Sequence, residues 1–146
     1  MTEQEYLDKR VNDQIDWYGK KSAWNKRWFL RLRIAETILA LLIPFITAFI
    51  NEDRLELKIT VGMLGVIVAA SASIVTLYKL NENWIQYRSV CESLVHEKFL
   101  YITQSGPYKD GNSFPVFVEV IESYISKENT QWASYTKGKP DDKPAA

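Results

Sequence analysis

The stretch Ile59–Tyr78, ITVGMLGVIVAASASIVTLY, constrains this chain more than any other. It holds twenty residues with no charge, no Pro, no Asn and no Gln. At about 1.5 Å rise per residue such a helix is about 30 Å long, the thickness of a bilayer hydrocarbon core. Its middle is small: Gly62, Gly65, Ala69, Ala70, Ser71, Ala72 and Ser73. In lipid, small residues let helix backbones approach closely. A membrane span that packs against other helices is therefore expected. Gly62, Gly65, Ala69, Ser73 and Thr76 recur at three- and four-residue spacing, which puts them on one helix face. Three roles are open to this stripe. It can pack the first span of the same chain, pack a second protomer, or line a narrow pore with the Ser73 and Thr76 hydroxyls.

A second apolar run, Ile34–Ile50, reads as a first span over residues 32–50. Pro44 inside it frees a backbone carbonyl and is expected to kink the helix. Glu36 lies about one turn inside the N-terminal end. A carboxylate in a span is a functional candidate by default, here as a pore-lining or relay group. The competing reading pairs it with Arg33 at i−3 and lets it snorkel. Between the runs, Asn51–Lys58 is a short polar connector, so the spans form an antiparallel hairpin.

Charge along the chain sets the orientation. The 146 residues carry 18 basic and 18 acidic side chains, so net charge makes no case for a nucleic-acid binder. Lys20–Arg33, however, holds six bases, no acid, and Trp24 and Trp28. Basic residues mixed with Trp suit a membrane–water interface; a solvated basic face with core tryptophans is the alternative. By the positive-inside rule both termini are cytoplasmic and the connector faces outward. The mean hydropathy of −0.20 hides this, because the flanks of the two runs are very polar. A secretory signal peptide is not expected, since some 33 polar residues precede the first apolar run.

The flanks read as helices. Over residues 2–31, Thr2 and Glu5 form a capping box. Leu7, Val11, Ile15 and Tyr18 make one apolar stripe. Residues 79–102 lack Pro and Gly, so the second span, 59–78, is expected to run straight on as one helix of roughly 45 residues. That continuity would transmit a cytosolic shift rigidly to Gly65, Ala69 and Ser73. Trp84, Tyr87, Cys91, Leu94 or Val95, and Lys98 or Phe99 form a heptad-type seam, with an Arg88–Glu92 pair and Glu97 between them. After a loop, residues 114–135 form a third helix, with Phe114, Phe117 or Val118, Ile121, Ile125, Glu128, Trp132 and Tyr135 along its seam. Residues 136–146 read as a disordered tail.

The expected fold is an all-α membrane protein: a two-span transmembrane hairpin whose helices extend into a cytosolic bundle closed by a C-terminal helix. Residues 1–135 form this single domain. Chemistry is sparse. One Cys and one His exclude an internal disulfide and a His-pair metal site, and no phosphate-cradling Gly-rich loop or nucleophile elbow is present. No enzyme activity and no cofactor are expected. A two-span protein makes few internal contacts in the bilayer, which favours a homo-oligomer.

The pattern YLDKRVNDQIDWYGKKSAWNKRWF, two spans, NENWIQYRSVCESLVHEKFLYITQSGPY and FVEVIESYISKENTQW resembles the domain-of-unknown-function family 4231. That family belongs to the SLATT superfamily, the SMODS- and SLOG-associating two-transmembrane effector domains. The resemblance covers about residues 6–135. Its most specific pieces are Trp84, Tyr87-Arg88, Glu92, Glu97, Tyr101, Gly106-Pro107-Tyr108, Glu122, Glu128 and Trp132. Val120 stands where the pattern has a basic residue beside Glu122. The resemblance implies a multi-pass protein of the bacterial inner membrane with cytoplasmic termini. It further implies an ion channel or pore-forming effector of nucleotide-signalled defence, triggered by a separate partner protein. The alternative is a membrane-anchored scaffold or signalling module that binds a partner through its cytosolic helices.

Overall fold

A computed structural model describes residues 2–50, 54–109 and 113–136, with side chains up to Lys127 in the last helix. The described residues contain no strand. The chain opens with α1 (Glu3–Tyr6), a π-helical segment Leu7–Asn12 and α2 (Asp13–Thr47), followed by α3 (Leu55–Leu77) and α4 (Leu80–Ile102). A 3₁₀ turn, Gly106–Tyr108, leads into α5 (Ser113–Thr136). The start is capped at Thr2. Its hydroxyl accepts from the Glu5 N–H at 3.3 Å, and Glu5 Oε2 accepts from the Thr2 N–H at 3.0 Å.

The chain divides into two compact units, residues 1–19 with 88–146, and residues 20–87. In the first, the core is Val11, Tyr18, Leu94, Tyr108, Phe117 and Ile121, all 2% exposed or less. Tyr101 stacks on Phe117 at 4.2 Å between ring centroids, and Tyr108 meets Phe117 edge-on at 5.9 Å. The 3₁₀ turn makes this possible. Gly106 sits at φ 61°, a conformation costly for side chains with a Cβ, and the turn carries Tyr108 into the core. On α4 the seam runs through Cys91, Leu94, half-buried Lys98 and Tyr101, whereas Phe99 is exposed. Lys98 takes the inner position because its ammonium donates to Asn12 Oδ1 at 2.7 Å.

In the second unit, α2 is half-buried or buried at Ser22, Asn25, Phe29, Leu32, Glu36, Leu39, Ile43 and Ile46. The spacing alternates 3 and 4, the seam of two helices packed lengthwise. On α3 the corresponding face is Leu57, Val61, Leu64, Gly65, Val68, Ser71, Ala72 and Val75. The remaining faces carry large exposed apolar side chains, among them Ile38, Leu41, Phe45, Met63 and Val66.

Three boundaries differ from expectation. The expected continuous helix from the second span into α4 is broken: α3 stops at Leu77 and Lys79 sits at φ 47°. Asn83 stabilises the break by donating from Nδ2 to the Tyr78 carbonyl at 2.9 Å. The amide side chain thus satisfies one of the carbonyls a helix end leaves open. Rigid transmission along one uninterrupted helix is therefore ruled out. Second, α3 begins at Leu55, so Leu55–Lys58 is helix, not connector. Leu, Glu and Lys are good helix formers, and no Gly or Pro opposes them. Third, α2 ends at Thr47, short of the expected end at residue 50. Pro44 lies in that last turn, where its missing N–H leaves the Ala40 carbonyl without its usual donor. The connector residues 51–53, the tail 137–146 and the side chains of Glu128, Trp132 and Tyr135 lie outside the described residues.

Candidate functional site

One stretch among the described residues, Leu55–Tyr108, holds a window long and apolar enough to cross a membrane, and 6% of that window is buried. The core helix of a globular protein would bury most of it. The apolar part of α2 is shorter. From Ile34 to the helix end at Thr47 are fourteen positions, about 21 Å. By length and composition, then, one helix among the described residues meets the requirement for a span.

The small stripe of α3 divides. Gly65 is on the half-buried side, while Gly62, Ala69, Ser73 and Thr76 are exposed. A Cβ added at Gly62 or Gly65 would meet nothing within 4 Å. Among the described residues no close approach requires either glycine. The two hydroxyls are turned back on their own helix. Ser73 donates to the Ala69 carbonyl at 2.8 Å and Thr76 to the Ala72 carbonyl at 3.0 Å. Their protons are engaged; their oxygens still accept.

Glu36 lies on the packed face of α2, with its side chain 18% exposed. Arg33 Nη1 donates to both carboxylate oxygens, at 3.0 and 3.2 Å. The paired arrangement is the one adopted, because i and i+3 are neighbours on a helix and half-burial rewards neutralisation. Pro44 is exposed. Of the six residues suggested for a pore or interface, Glu36 and Gly65 are half-buried, and Pro44, Ala69, Ser73 and Thr76 are exposed.

The sequence reading missed the polar knot at the start of this unit. Ser22 and Asn25 are buried, and Ser22 donates to the Trp84 carbonyl at 3.0 Å. Trp84 donates from Nε1 to Asn81 Oδ1 at 3.1 Å, and the Lys26 ammonium lies 5.4 Å from a Trp84 ring centroid. The signal was present: positions 22 and 25 continue the alternation of 29, 32, 36 and 39. Polar residues on that register are easily discounted.

In the other unit, Arg10 grips Glu122. Its Nε donates to Oε1 at 3.0 Å and its Nη2 to Oε2 at 2.8 Å, while the Tyr6 hydroxyl also donates to Oε1. The bidentate bond holds the Glu122 carboxyl below the usual range. Burial, and then the same carboxylate, push the Tyr6 hydroxyl up. Arg10 thus reaches Glu122 from the far end of the chain, while position 120 is Val. Glu97 accepts from the Tyr108 hydroxyl at 2.7 Å, and burial followed by that bond raises Tyr108. The Arg88–Glu92 pair forms, with both side chains more than half exposed. Tyr87 is buried, Trp84 half-buried and His96 exposed. Burial raises the Cys91 thiol, which donates to the Ile15 carbonyl.

These features define an all-helical protein with one strongly apolar, outward-facing helix. Residues 13–115 match the family described as protein of unknown function (DUF4231), and the chain belongs to that family. The match runs from the start of α2 into the first turn of α5. Arg10 and Glu122 fall outside it, at opposite ends. Comparison with curated proteins and with solved structures gave no match.

Proposed function

We propose that this chain is a multi-pass protein of the bacterial inner membrane that assembles as a homo-oligomer and forms an ion channel or pore. The exposed small-residue face of α3 carries the reading. Gly62, Ala69, Ser73 and Thr76 leave a shallow groove that stays exposed among the described residues. In a bilayer such a face pays off only against another helix backbone. On this reading the apolar parts of α2 and α3 form a two-span hairpin with both termini cytoplasmic. Arg31 and Arg33 snorkel, so that α2 and the turn after it reach across about 30 Å from Leu30 to Ile50. The resemblance to two-transmembrane effectors supports a trigger from a nucleotide-signalling partner protein. Neither an enzymatic activity nor a cofactor belongs to this reading.

Liposomes carrying the purified protein test it. Ion flux is expected, and Ser73→Trp should lower it at least tenfold while the protein remains inserted. No flux with an intact oligomer would refute conduction. A second reading, a membrane-anchored scaffold, draws on the Arg33–Glu36 pair and the back-bonded hydroxyls, which leave the spans without an unpaired charge to line a path. It predicts no flux and a co-purifying partner.

A further inference from the structure

The six bases that precede the apolar part of α2 are not equivalent. Arg33 is committed to Glu36, and Lys26 lies over the Trp84 ring. Both are on the side of the helix nearer the seam. Lys20, Arg27 and Arg31 are exposed and make no ion pair among the described residues. At 100° per residue they fall on the face opposite the seam, within about 40° of one another. Trp24 and Trp28 occupy the adjoining part of that face, 53% and 43% exposed, their rings 6.2 Å apart. No acid occurs anywhere from Lys20 to Arg33; the acid of the adjoining α4 turn, Glu82, is exposed on a different helix. One turn further along α2 the exposed residues become Ile34 and Ile38.

Three cations and two indoles thus share one outward face at the edge of an apolar surface. Indole rings sit at the headgroup level, where one edge is apolar and the N–H is wet. Guanidinium groups match phosphate oxygens bidentately. We propose that the face Lys20–Trp24–Arg27–Trp28–Arg31 seats anionic phospholipid headgroups and gives the protein a preference for an acidic leaflet. The proposal rests on the membrane reading above and adds a lipid specificity that the spans alone would not confer. A solvated basic face would carry its bases without the two exposed indoles; a zwitterionic surface would not select three uncompensated cations.

The full-length protein in detergent is titrated with phosphatidylglycerol and, separately, phosphatidylcholine. Bound lipids are counted by native mass spectrometry. Each base near an anionic surface contributes roughly fivefold in affinity. The triple variant K20Q/R27Q/R31Q should therefore lose its preference for phosphatidylglycerol by roughly 100-fold, whereas the charge-matched K9Q/K109Q/K127Q should keep it. Brominated phosphatidylglycerol should quench tryptophan more than brominated phosphatidylcholine, and W24F/W28F should remove that difference. Equal binding of both lipids by the natural protein overturns the proposal, as does equal loss in the two triple variants. A face that docks a protein instead gives that same lipid-blind result. Alkaline carbonate extraction separates the two levels. A protein that stays in the membrane fraction but shows no headgroup preference defeats only this inference; one that is released defeats the membrane reading itself.

Discussion

Lys79 breaks from the helical conformation on either side of it. At φ 47° it stands in the left-handed region, which costs a side chain bearing a Cβ roughly 1–2 kcal/mol and costs Gly almost nothing. Lys79→Gly should raise stability by about 1 kcal/mol, and Lys79→Val should lower it by a similar amount or more. Thermal unfolding in detergent measures both. Glu122 offers a pH test. Its carboxyl is lowered by the Arg10 bond, so its contribution is complete above the ordinary carboxylate value of 4.5. That contribution is lost as pH falls below 4.5 through the lower folded value. Both partners are about 40% exposed, so solvent screening reduces the pair to about 1 kcal/mol. Glu122→Gln should cost that much at pH 7 and flatten the acid limb of the stability curve. Tyr101, pushed up to about 12 by burial and then by Glu3, works in the opposite direction. Its stabilising share persists below pH 10 and is lost on titration toward 12, which ultraviolet absorbance of the phenolate follows.

At the scale of elements, the aromatic junction of α4, the 3₁₀ turn and α5 holds the first unit together. Phe117 is fully buried against Tyr101 and Tyr108. Phe117→Ala should cost about 3–5 kcal/mol, read by chemical denaturation of the full chain. The α3 helix makes a contrasting prediction. A Cβ added at Gly62 meets nothing within 4 Å, so Gly62→Leu should leave the protomer folded. If the chain forms the proposed homo-oligomer, Gly62→Leu should disperse it, as seen by light scattering in detergent. An oligomeric state unchanged by Gly62→Leu and by Ser73→Leu would overturn the proposed use of this face as the subunit contact.

For the whole molecule, helical class, the apolar run, the small stripe and the capping box at Thr2 were legible in the sequence. Each depends on contacts within one or two turns, and spacing alone encodes those. The family was legible for the same reason, because its pattern is carried by the order of such segments. The site was read less well. Periodicity placed Glu36 in a span but could not say which face it would occupy. The seam runs through it, and Arg33 neutralises it there. Ser22 and Asn25 went unnoticed because a polar residue on an apolar register looks like an interruption. The partner of Glu122, Arg10, stands 112 positions distant, beyond the reach of local spacing.

The apolar stretch Ile59–Tyr78 marks the division. Its sequence alone determined that it is helical, uncharged and small along one side, because these are properties of side chains and of hydrogen bonds four residues apart. Only the tertiary structure decided that its seam runs through Val61, Gly65, Val68 and Ala72, that most of the small stripe faces outward, and that the helix stops before Lys79. Those outcomes depend on which helix lies alongside and on the side-chain amide of Asn83 reaching the Tyr78 carbonyl, and long-range packing is not written in local spacing.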